Sequence, residues 1–308
     1  MKQLVILSGK GGTGKTSVAA AFAHLAHDGP YPLKTVLADA DVDAANLELV
    51  LSPKRQETHD FTGGSVAVID PQLCQRCGVC EQVCRFDAVI PPSNGKALTT
   101  YSIDAIACDG CAACVYQCPE EAIRMEPQIA GRWYRSDSRY GTLFHADLYP
   151  AQENSGKLVT LVKQYARLSA LDRNYPIIIV DGPPGIGCPV ISAAAGASLA
   201  LIVAEPSVAG VHDLTRVLQT TSYFRVPSLV IINKADINPQ GTEEIKAICS
   251  ELGVELIGQI PFDETITEAM LNGEPVTAYR PDAAASRALV AIWQNVSTRL
   301  APPGEPNA

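Results

Sequence analysis

Ten cysteines stand in this 308-residue chain, and eight of them lie between positions 74 and 118. These eight form two copies of one spacing, Cys-x2-Cys-x2-Cys-x3-Cys, offset by 34 residues. The first copy is Cys74, Cys77, Cys80 and Cys84, and the second is Cys108, Cys111, Cys114 and Cys118. Thiolates are soft metal ligands, and disulfides are rare in the cytosol. The pattern therefore predicts metal binding rather than disulfide bonding.

The spacing is that of bacterial ferredoxins, in which the fourth cysteine of each run binds the cluster held by the other run. Cluster 1 is then expected to bind Cys74, Cys77, Cys80 and Cys118. Cluster 2 is expected to bind Cys84, Cys108, Cys111 and Cys114. Both are predicted to be 4Fe-4S clusters. Zinc is disfavoured, because the third cysteine of each run does not fit the paired spacing of zinc sites. Arg85 departs from the ferredoxin pattern, which has proline after the fourth cysteine.

A second chemistry is predicted near the amino terminus, where residues 9–16 read GKGGTGKT between a strand pattern and a helix pattern. In such a loop, successive backbone N–H groups and the helix amino terminus surround phosphate groups. Lys15 is expected to reach the β and γ phosphates, and the Thr16 hydroxyl is expected to bind Mg²⁺. The predicted backbone contacts to the nucleotide come from Gly11, Gly12, Thr13 and Gly14.

Lys10, a second lysine ahead of the loop, makes the sequence KGGTGKT. This sequence resembles the deviant Walker A motif of MinD-type ATPases, a class that includes the nitrogenase iron protein and the iron–sulfur cluster carrier ATPases. The resemblance implies that Lys10 crosses a dimer interface to the partner's nucleotide, and that ATP and Mg²⁺ are bound between two facing subunits.

Three aspartates extend the resemblance. Asp39 and Asp41 lie in a DADVD segment that resembles the switch I of this class, where Asp41 would orient the attacking water and Asp39 would lie near Mg²⁺. Asp181 ends the strand pattern IIIVD, at the Walker B position, and is expected to hold Mg²⁺ through water. Phosphoryl transfer depends on such positioning of water and neutralisation of charge.

The base of the nucleotide is expected to contact Asn233, Asp236 and Pro261, by resemblance to the same class. However, Asn-Lys-x-Asp is also the sequence with which many GTPases bind guanine. ATP is favoured because the deviant lysine is associated with it, and GTP remains open.

Continuous apolar strand patterns alternate with helix patterns on both sides of the cysteine segment. Such runs predict a mostly parallel, doubly wound α/β sheet. We expect residues 1–62 and 132–300 to form a P-loop ATPase domain, residues 63–131 to form a ferredoxin-like insert, and residues 301–308 to form a flexible tail. A hairpin is predicted over residues 132–148. Over about residues 2–295, the chain resembles MinD-superfamily P-loop ATPases that contain an inserted ferredoxin domain.

The other metal-ligating residues are assigned mainly structural roles. Cys188 follows Asp181 at the position of the switch II cysteine of the nitrogenase iron protein, so a bridging cluster is one possibility and a buried residue at a helix start is the favoured one. Cys249 is expected in the core. The histidines are expected at the surface or at helix caps: His24, His27, His59, His145 and His212.

Net charge argues against binding to nucleic acid, since 24 basic residues face 33 acidic ones and give −9. Residues 182–204 carry no charge, but proline and glycine interrupt them too often for a spanning helix. With no signal peptide visible, the protein is predicted to be cytoplasmic, without stable membrane insertion.

Three functions are considered. The favoured one is an ATPase in which closure of a dimer gates electron transfer through two clusters to a redox partner. The alternatives are a carrier that delivers iron–sulfur clusters to a target protein, and a MinD-like spatial organiser. The dimer is predicted to be a homodimer or a heterodimer with a paralogue.

Overall fold

The computed structural model describes residues 1–93, 100–150, 152 and 154–301. Of the tail predicted at 301–308, all but Ala301 lie outside the described residues. The chain divides into two compact units. Unit 1 contains the described residues of 1–59, 133–147 and 155–308, and unit 2 contains those of 60–132 and 148–154. The predicted insert, 63–131, falls within unit 2.

The strands are β1 (Lys2–Ser8), β2 (Thr35–Asp39), β3 (Lys54–Ile69), β4 (Val89–Ile90), β5 (Ser102–Ile103), β6 (Ile123–Ser138), β7 (Gly141–Leu148), β8 (Ile177–Pro184), β9 (Leu199–Ala204), β10 (Ser228–Asn233) and β11 (Glu255–Ile260). The helices are α1 (Lys15–Asp28), α2 (Leu47–Leu51), α3 (Val79–Val83), α4 (Ala113–Gln117), α5 (Ser155–Asp172), α6 (Cys188–Ala194), α7 (Val208–Tyr223), α8 (Pro239–Glu251), α9 (Thr265–Leu271), α10 (Val276–Tyr279) and α11 (Ala284–Leu300).

Within the described chain, nine strands form one sheet in the order β11-β10-β9-β1-β8-β2-β7-β6-β3. The central strands pair in parallel, with Val5 opposite both Val180 and Ala200. These strands are buried on both faces, as their continuous apolar sequences require. The mostly parallel α/β fold predicted from the sequence is confirmed, and the predicted hairpin is formed by β6 and β7.

Helix α1 fixes the geometry of the amino-terminal loop. Its alanines and Phe22 are buried, and the Phe22 ring lies 5.0 Å from that of Trp293 on α11. The indole N–H of Trp293 donates to the Tyr31 carbonyl at 3.0 Å. Helix α1 is therefore held between the sheet and α11 and begins at a fixed point beside β1.

Unit 2 repeats one local structure at the 34-residue offset. Helices α3 and α4 follow Gly78 and Ala112, which have φ angles of 79° and 59°. Asp70 and Asp104 accept hydrogen bonds from the backbone two residues later, each at 2.9 Å. Strands β4 and β5 pair antiparallel, with Val89 opposite Ile103. The two cysteine runs therefore have the same local conformation.

None of the helices in the described part of the chain is long and apolar enough to cross a bilayer.

Candidate functional site

The glycine-rich loop between β1 and α1 depends on backbone conformations that favour glycine. Gly12 has a φ of 77° and Gly14 a φ of 98°. A Cβ atom at Gly14 would lie 2.4 Å from the Asn233 amide nitrogen, so a side chain there would also collide. That amide donates to the Thr13 carbonyl at 2.7 Å. Asn233 therefore contacts the phosphate loop and stabilises its conformation.

Lys15 is buried at the start of α1, facing acidic side chains. Burial lowers the pKa of Lys15, and the carboxylates of Asp181, Asp41 and Asp39 oppose that shift. A carboxylate close to a buried ammonium favours its charged form. Lys15 and the three predicted aspartates thus share one electrostatic environment.

Asp181 has the features of a cation ligand. Its side chain is 1 % exposed, and within the described residues neither carboxylate oxygen receives a hydrogen bond of good geometry. Burial raises the pKa of Asp181 to about 7, against opposing effects of the Thr16 hydroxyl and Lys15. Buried oxygens without donors are costly, and Mg²⁺ prefers oxygen ligands. Asp181 and Thr16 therefore fit a Mg²⁺ ion.

Asp39 is placed differently from Asp181, although both are fully buried. One Asp39 oxygen accepts from the Asp41 N–H at 3.1 Å, and the other accepts from the Leu47 N–H at 3.0 Å. Burial and the charge of Asp181 raise the pKa of Asp39 well above its usual range. Asp39 thus fastens both ends of the segment 41–47. Of the two carboxylates, Asp39 is the one that accepts backbone hydrogen bonds.

Asp41 is half-buried, and burial raises the pKa of its carboxyl group while Lys15 opposes the shift. A raised pKa in a partly open carboxyl group is what a group that handles a water proton needs. Its assignment as the residue that orients water stays a prediction.

The structure also reveals a residue that the sequence reasoning missed. Glu205 ends the strand pattern LALIVAE, and its carboxylate lies 3.7 Å from the Lys10 ammonium and 3.2 Å from that of Lys234. Lys10 also contacts the Ser207 hydroxyl at 3.1 Å. Within one chain, Lys10 is therefore held by Glu205 and Ser207. The available signal was an acidic residue at the carboxyl end of a buried parallel strand beside the loop.

Asp236 is hydrogen-bonded to the residue that follows Pro261. Its carboxylate accepts from the Phe262 N–H at 2.7 Å. Asn233 and Asp236 therefore both make contacts within the chain, Asn233 to the phosphate loop and Asp236 to the segment after β11.

Unit 2 contains two small cavities lined by cysteine. One, of about 20 Å³, is lined by the four cysteines Cys74, Cys77, Cys80 and Cys118 together with apolar residues such as Ile69 and Ile123. The other, also of about 20 Å³, is lined by Cys84, Cys108, Cys111 and Cys114 together with Ala67, Val89 and Ile103. Each set contains three cysteines of one run and the fourth cysteine of the other. Four thiols around a mostly apolar cavity are a donor set that fits a 4Fe-4S cluster.

The surroundings of the thiols are matched as well. The Ala88 N–H donates to Cys84 Sγ at 3.4 Å, and the Ala122 N–H donates to Cys118 Sγ at 3.3 Å. Burial raises the pKa of the Cys80 and Cys114 thiols. Hydrogen bonds to sulfur and burial are both factors that set cluster potentials. Among the described residues, no group of three or more His, Cys, Asp or Glu side chains is arranged to hold a single metal ion.

Two expectations about single residues are wrong. Cys188 is exposed rather than buried. Helix α6 buries Val190, Ala193 and Ala194, and Cys188 lies on the opposite side of that helix. His145 is fully buried rather than at the surface, because β7 is covered on both faces. Cys249 is buried on α8, as expected.

These features define a P-loop nucleotide-binding fold, and sequence comparison agrees. The family model for the CobQ/CobB/MinD/ParA nucleotide binding domain matches residues 4–276. The chain belongs to this P-loop ATPase superfamily.

Individual relatives span most of the chain. It is 32% identical over 270 residues to the uncharacterized protein MJ0578 of Methanocaldococcus jannaschii, which covers 88% of each chain. It is 25% identical over 292 residues to the uncharacterized ATP-binding protein MJ0547 of the same organism, covering 94% of this chain and 85% of that one. The fold is similar to that of the septum site-determining protein MinD from Pyrococcus horikoshii, solved with Mg-ADP, with a TM-score of 0.56, 20% identity and coverage of 96% and 95%.

The placement of Asp181 leads to a prediction on stability. The folded-state pKa of about 7 lies above the ordinary value of 3.8, so between these values the folded protein binds more protons than the unfolded chain. Without Mg²⁺ and nucleotide, the free energy of unfolding should therefore fall as pH rises through that window. Asp181→Asn should remove this loss and stabilise the protein at about pH 8 by on the order of 1–3 kcal/mol, while nucleotide hydrolysis is lost.

Urea unfolding of both proteins in EDTA, at about pH 5 and about pH 8, measures this difference. The advantage of Asp181→Asn should shrink at the lower pH. A variant that is less stable than the parent at the higher pH would show that Asp181 has a partner in the folded protein.

Proposed function

We propose that this protein is an ATP-hydrolysing iron–sulfur protein in which nucleotide-driven closure of a dimer gates electron transfer to a partner. The observation that carries the proposal is the pair of cavities in unit 2, each lined by four cysteines in the crossed arrangement of a two-cluster ferredoxin. The proposed electron-transfer centres are two 4Fe-4S clusters, which supply one-electron chemistry when bound.

Cluster 1 would be held by Cys74, Cys77, Cys80 and Cys118, and cluster 2 by Cys84, Cys108, Cys111 and Cys114. Eight thiols on short, matched loops form two sites with all four ligands from the protein. Such closed sites suit resident clusters, because release of a cluster would require all four thiolates to lose their iron at once. Residues 63–131 carry eight acidic and four basic side chains. This negative balance favours the oxidised form of each cluster and hence a low potential.

The nucleotide part of the proposal rests on unit 1. Lys15 would bind the β and γ phosphates, Asp181 and Thr16 would hold Mg²⁺, and Asp41 would orient the attacking water. Lys15, Asp41 and Asp181 already share one buried electrostatic environment, which supports these roles. Positioned charge of this kind is most of what phosphoryl transfer requires.

ATP is the proposed nucleotide. The choice rests first on Lys10, because the deviant lysine is associated with ATP. The relative named as an ATP-binding protein supports the same choice.

Dimerisation is proposed from the deviant Walker A lysine. Lys10 is 34 % exposed and makes a 3.7 Å ion pair with Glu205, a contact that costs little to exchange. On closure, Lys10 would leave Glu205 and reach the nucleotide of a second subunit, either a copy of this chain or a paralogue. The proposed location is the cytoplasm.

Two other functions have support. An iron–sulfur carrier would use the same cysteines for cargo instead of resident clusters. A MinD-like spatial organiser is favoured by relatives such as the septum site-determining protein MinD of Bacillus subtilis, 28% identical over 170 residues. That likeness covers 53% of this chain and 61% of the Bacillus protein. The paired cysteine cavities have no use in that role, and this is why we place electron transfer first.

The experiment that separates electron transfer from cluster delivery follows the iron. Anaerobic holoprotein is incubated with MgATP and an excess of apo-ferredoxin, and iron per chain is measured after separation. We expect the protein to retain its iron through many rounds of hydrolysis. ATP-dependent appearance of that iron in the apo-ferredoxin would overturn the proposal in favour of the carrier.

A further inference from the structure

Helix α2 begins where the switch I segment ends, and Asp39 holds the two together. The Leu47 N–H, in the first turn of α2, donates to one Asp39 oxygen at 3.0 Å, while the Asp41 N–H donates to the other at 3.1 Å. Asp39 lies opposite Asp181 in the register of β2 and β8. A change in the position of Asp39 on nucleotide binding would therefore act on the start of α2.

Glu48, the second residue of α2, contacts the two strands β3 and β7. One Glu48 oxygen lies 3.4 Å from an Arg55 guanidinium nitrogen on β3 and 3.2 Å from His145 Nδ1 on β7. Glu48 is half-buried, with its side chain 26 % exposed. A single carboxylate therefore joins α2 to β3 and β7.

Both partners of Glu48 lead on to β6. The Arg55 guanidinium lies 3.8 Å from the centre of the Tyr134 ring, a cation–π distance. His145 Nε2 lies 2.8 Å from the Ser136 hydroxyl. Tyr134 and Ser136 are two residues apart on β6, so this strand is contacted at two points.

The contact of Glu48 with His145 is not fully formed. Within the described residues, His145 Nδ1 is buried and has no hydrogen bond of good geometry, although the carboxylate is only 3.2 Å away. A buried polar atom without a partner costs free energy. A movement of α2 that completed this hydrogen bond would remove that cost.

Strands β3 and β6 lead directly to the cysteine runs. Strand β3 ends at Ile69, five residues before Cys74, and β6 begins at Ile123, five residues after Cys118. We infer that Glu48 is a positioning residue that carries the nucleotide-dependent state of Asp39 through Arg55 and His145 to strands β3 and β6. This inference rests on the proposed function, because it names the contacts by which nucleotide binding is coupled to the cluster-bearing segment.

The test reads the position of β6 without using the clusters. Trp133, next to Tyr134, is stacked between His59 and Tyr165 at ring distances of 4.1 and 4.0 Å, so its emission should respond to a shift of the strand. The chain has only one other tryptophan, Trp293. The emission of Trp293 alone is measured in a Trp133→Phe variant. Emission is measured without nucleotide, with ADP and with a non-hydrolysable ATP analogue.

In the parent protein we expect the ATP analogue to change the Trp133 emission. In Glu48→Ala this change should be lost although the analogue still binds. In Glu48→Gln, which keeps the size and the contact with His145 but loses the charge opposite Arg55, the change should be reduced. Glu255→Ala, which removes a surface ion pair with Arg299 elsewhere, should behave like the parent.

A full Trp133 response in both Glu48 variants, or no response in the parent, would overturn the inference. The proposed function fails separately. If Trp133 responds through Glu48 while electron transfer is the same in every nucleotide state, the relay exists and gating does not.

Discussion

Replacing Cys84 with serine should remove the cluster whose three other ligands are Cys108, Cys111 and Cys114. The protein isolated without oxygen should hold about eight iron atoms per chain, and Cys84→Ser should hold about four. The reason is that Cys84 lines the same cavity as these three cysteines and not the cavity lined by the rest of its own run. Cys118→Ser should give the reciprocal loss. Iron analysis together with electron paramagnetic resonance of the reduced protein measures which cluster remains.

Cys188→Ser is the matched control, because it changes an exposed cysteine outside both cavities. It should retain all the iron of the parent. Zinc in place of iron, or about four irons in the parent, would contradict the two-cluster assignment. The crossed pairing would be wrong if Cys84→Ser lost the cluster held by Cys74, Cys77 and Cys80.

Lys15→Ala should abolish nucleotide hydrolysis, and Asp41→Ala should abolish hydrolysis while nucleotide still binds. Lys15 is buried among the carboxylates of Asp39, Asp41 and Asp181, and it is the cation that would face the phosphates. Asp41 is half-open and would act on water rather than on phosphate. Losses of about 10³-fold or more in kcat are usual when such charges are removed from a phosphoryl-transfer site.

Phosphate release and equilibrium binding of a fluorescent ATP analogue, measured on the same preparations, separate the two roles. Glu255→Ala changes an exposed carboxylate outside this segment and should hydrolyse ATP at the parent rate. Near-normal turnover in Asp41→Ala would exclude its assigned role. Failure of Asp41→Ala to bind nucleotide would make it a binding residue instead.

The central sheet could be predicted from sequence because each strand has its own local signal. The continuous apolar runs at β1, β8, β9 and β10 are typical only of parallel strands buried on both faces. The loop at residues 9–16 then fixes which end of the sheet carries the phosphate site, since Gly12 and Gly14 adopt positive φ angles there. These features depend on a few neighbouring residues, so one sequence is enough to predict them.

Contacts between distant segments could not be predicted in this way. Glu205 reaches Lys10 and Lys234 only because β9 lies between β1 and β10 in the sheet. The burial of His145 depends on β7 being covered by neighbours, and the exposure of Cys188 depends on which face of α6 packs. The difference between Asp39 and Asp181 likewise comes from the hydrogen bonds that the Asp41 and Leu47 N–H groups donate to Asp39, which no local sequence pattern predicts.

The measurement that tests gated electron transfer most directly is the rate at which the reduced clusters pass electrons to a small one-electron acceptor in different nucleotide states. It is made on the Asp41→Ala protein, in which ATP should bind without turnover, with no nucleotide, with ADP and with ATP. Nucleotide and dimer closure are linked, so ATP must change either the potential of the clusters or their accessibility. We predict a change of roughly tenfold in rate with ATP, or a shift of the cluster potentials of about 60 mV, which for a one-electron couple is a tenfold change in the equilibrium constant. Equal rates and equal cluster potentials in all three states would contradict gated electron transfer.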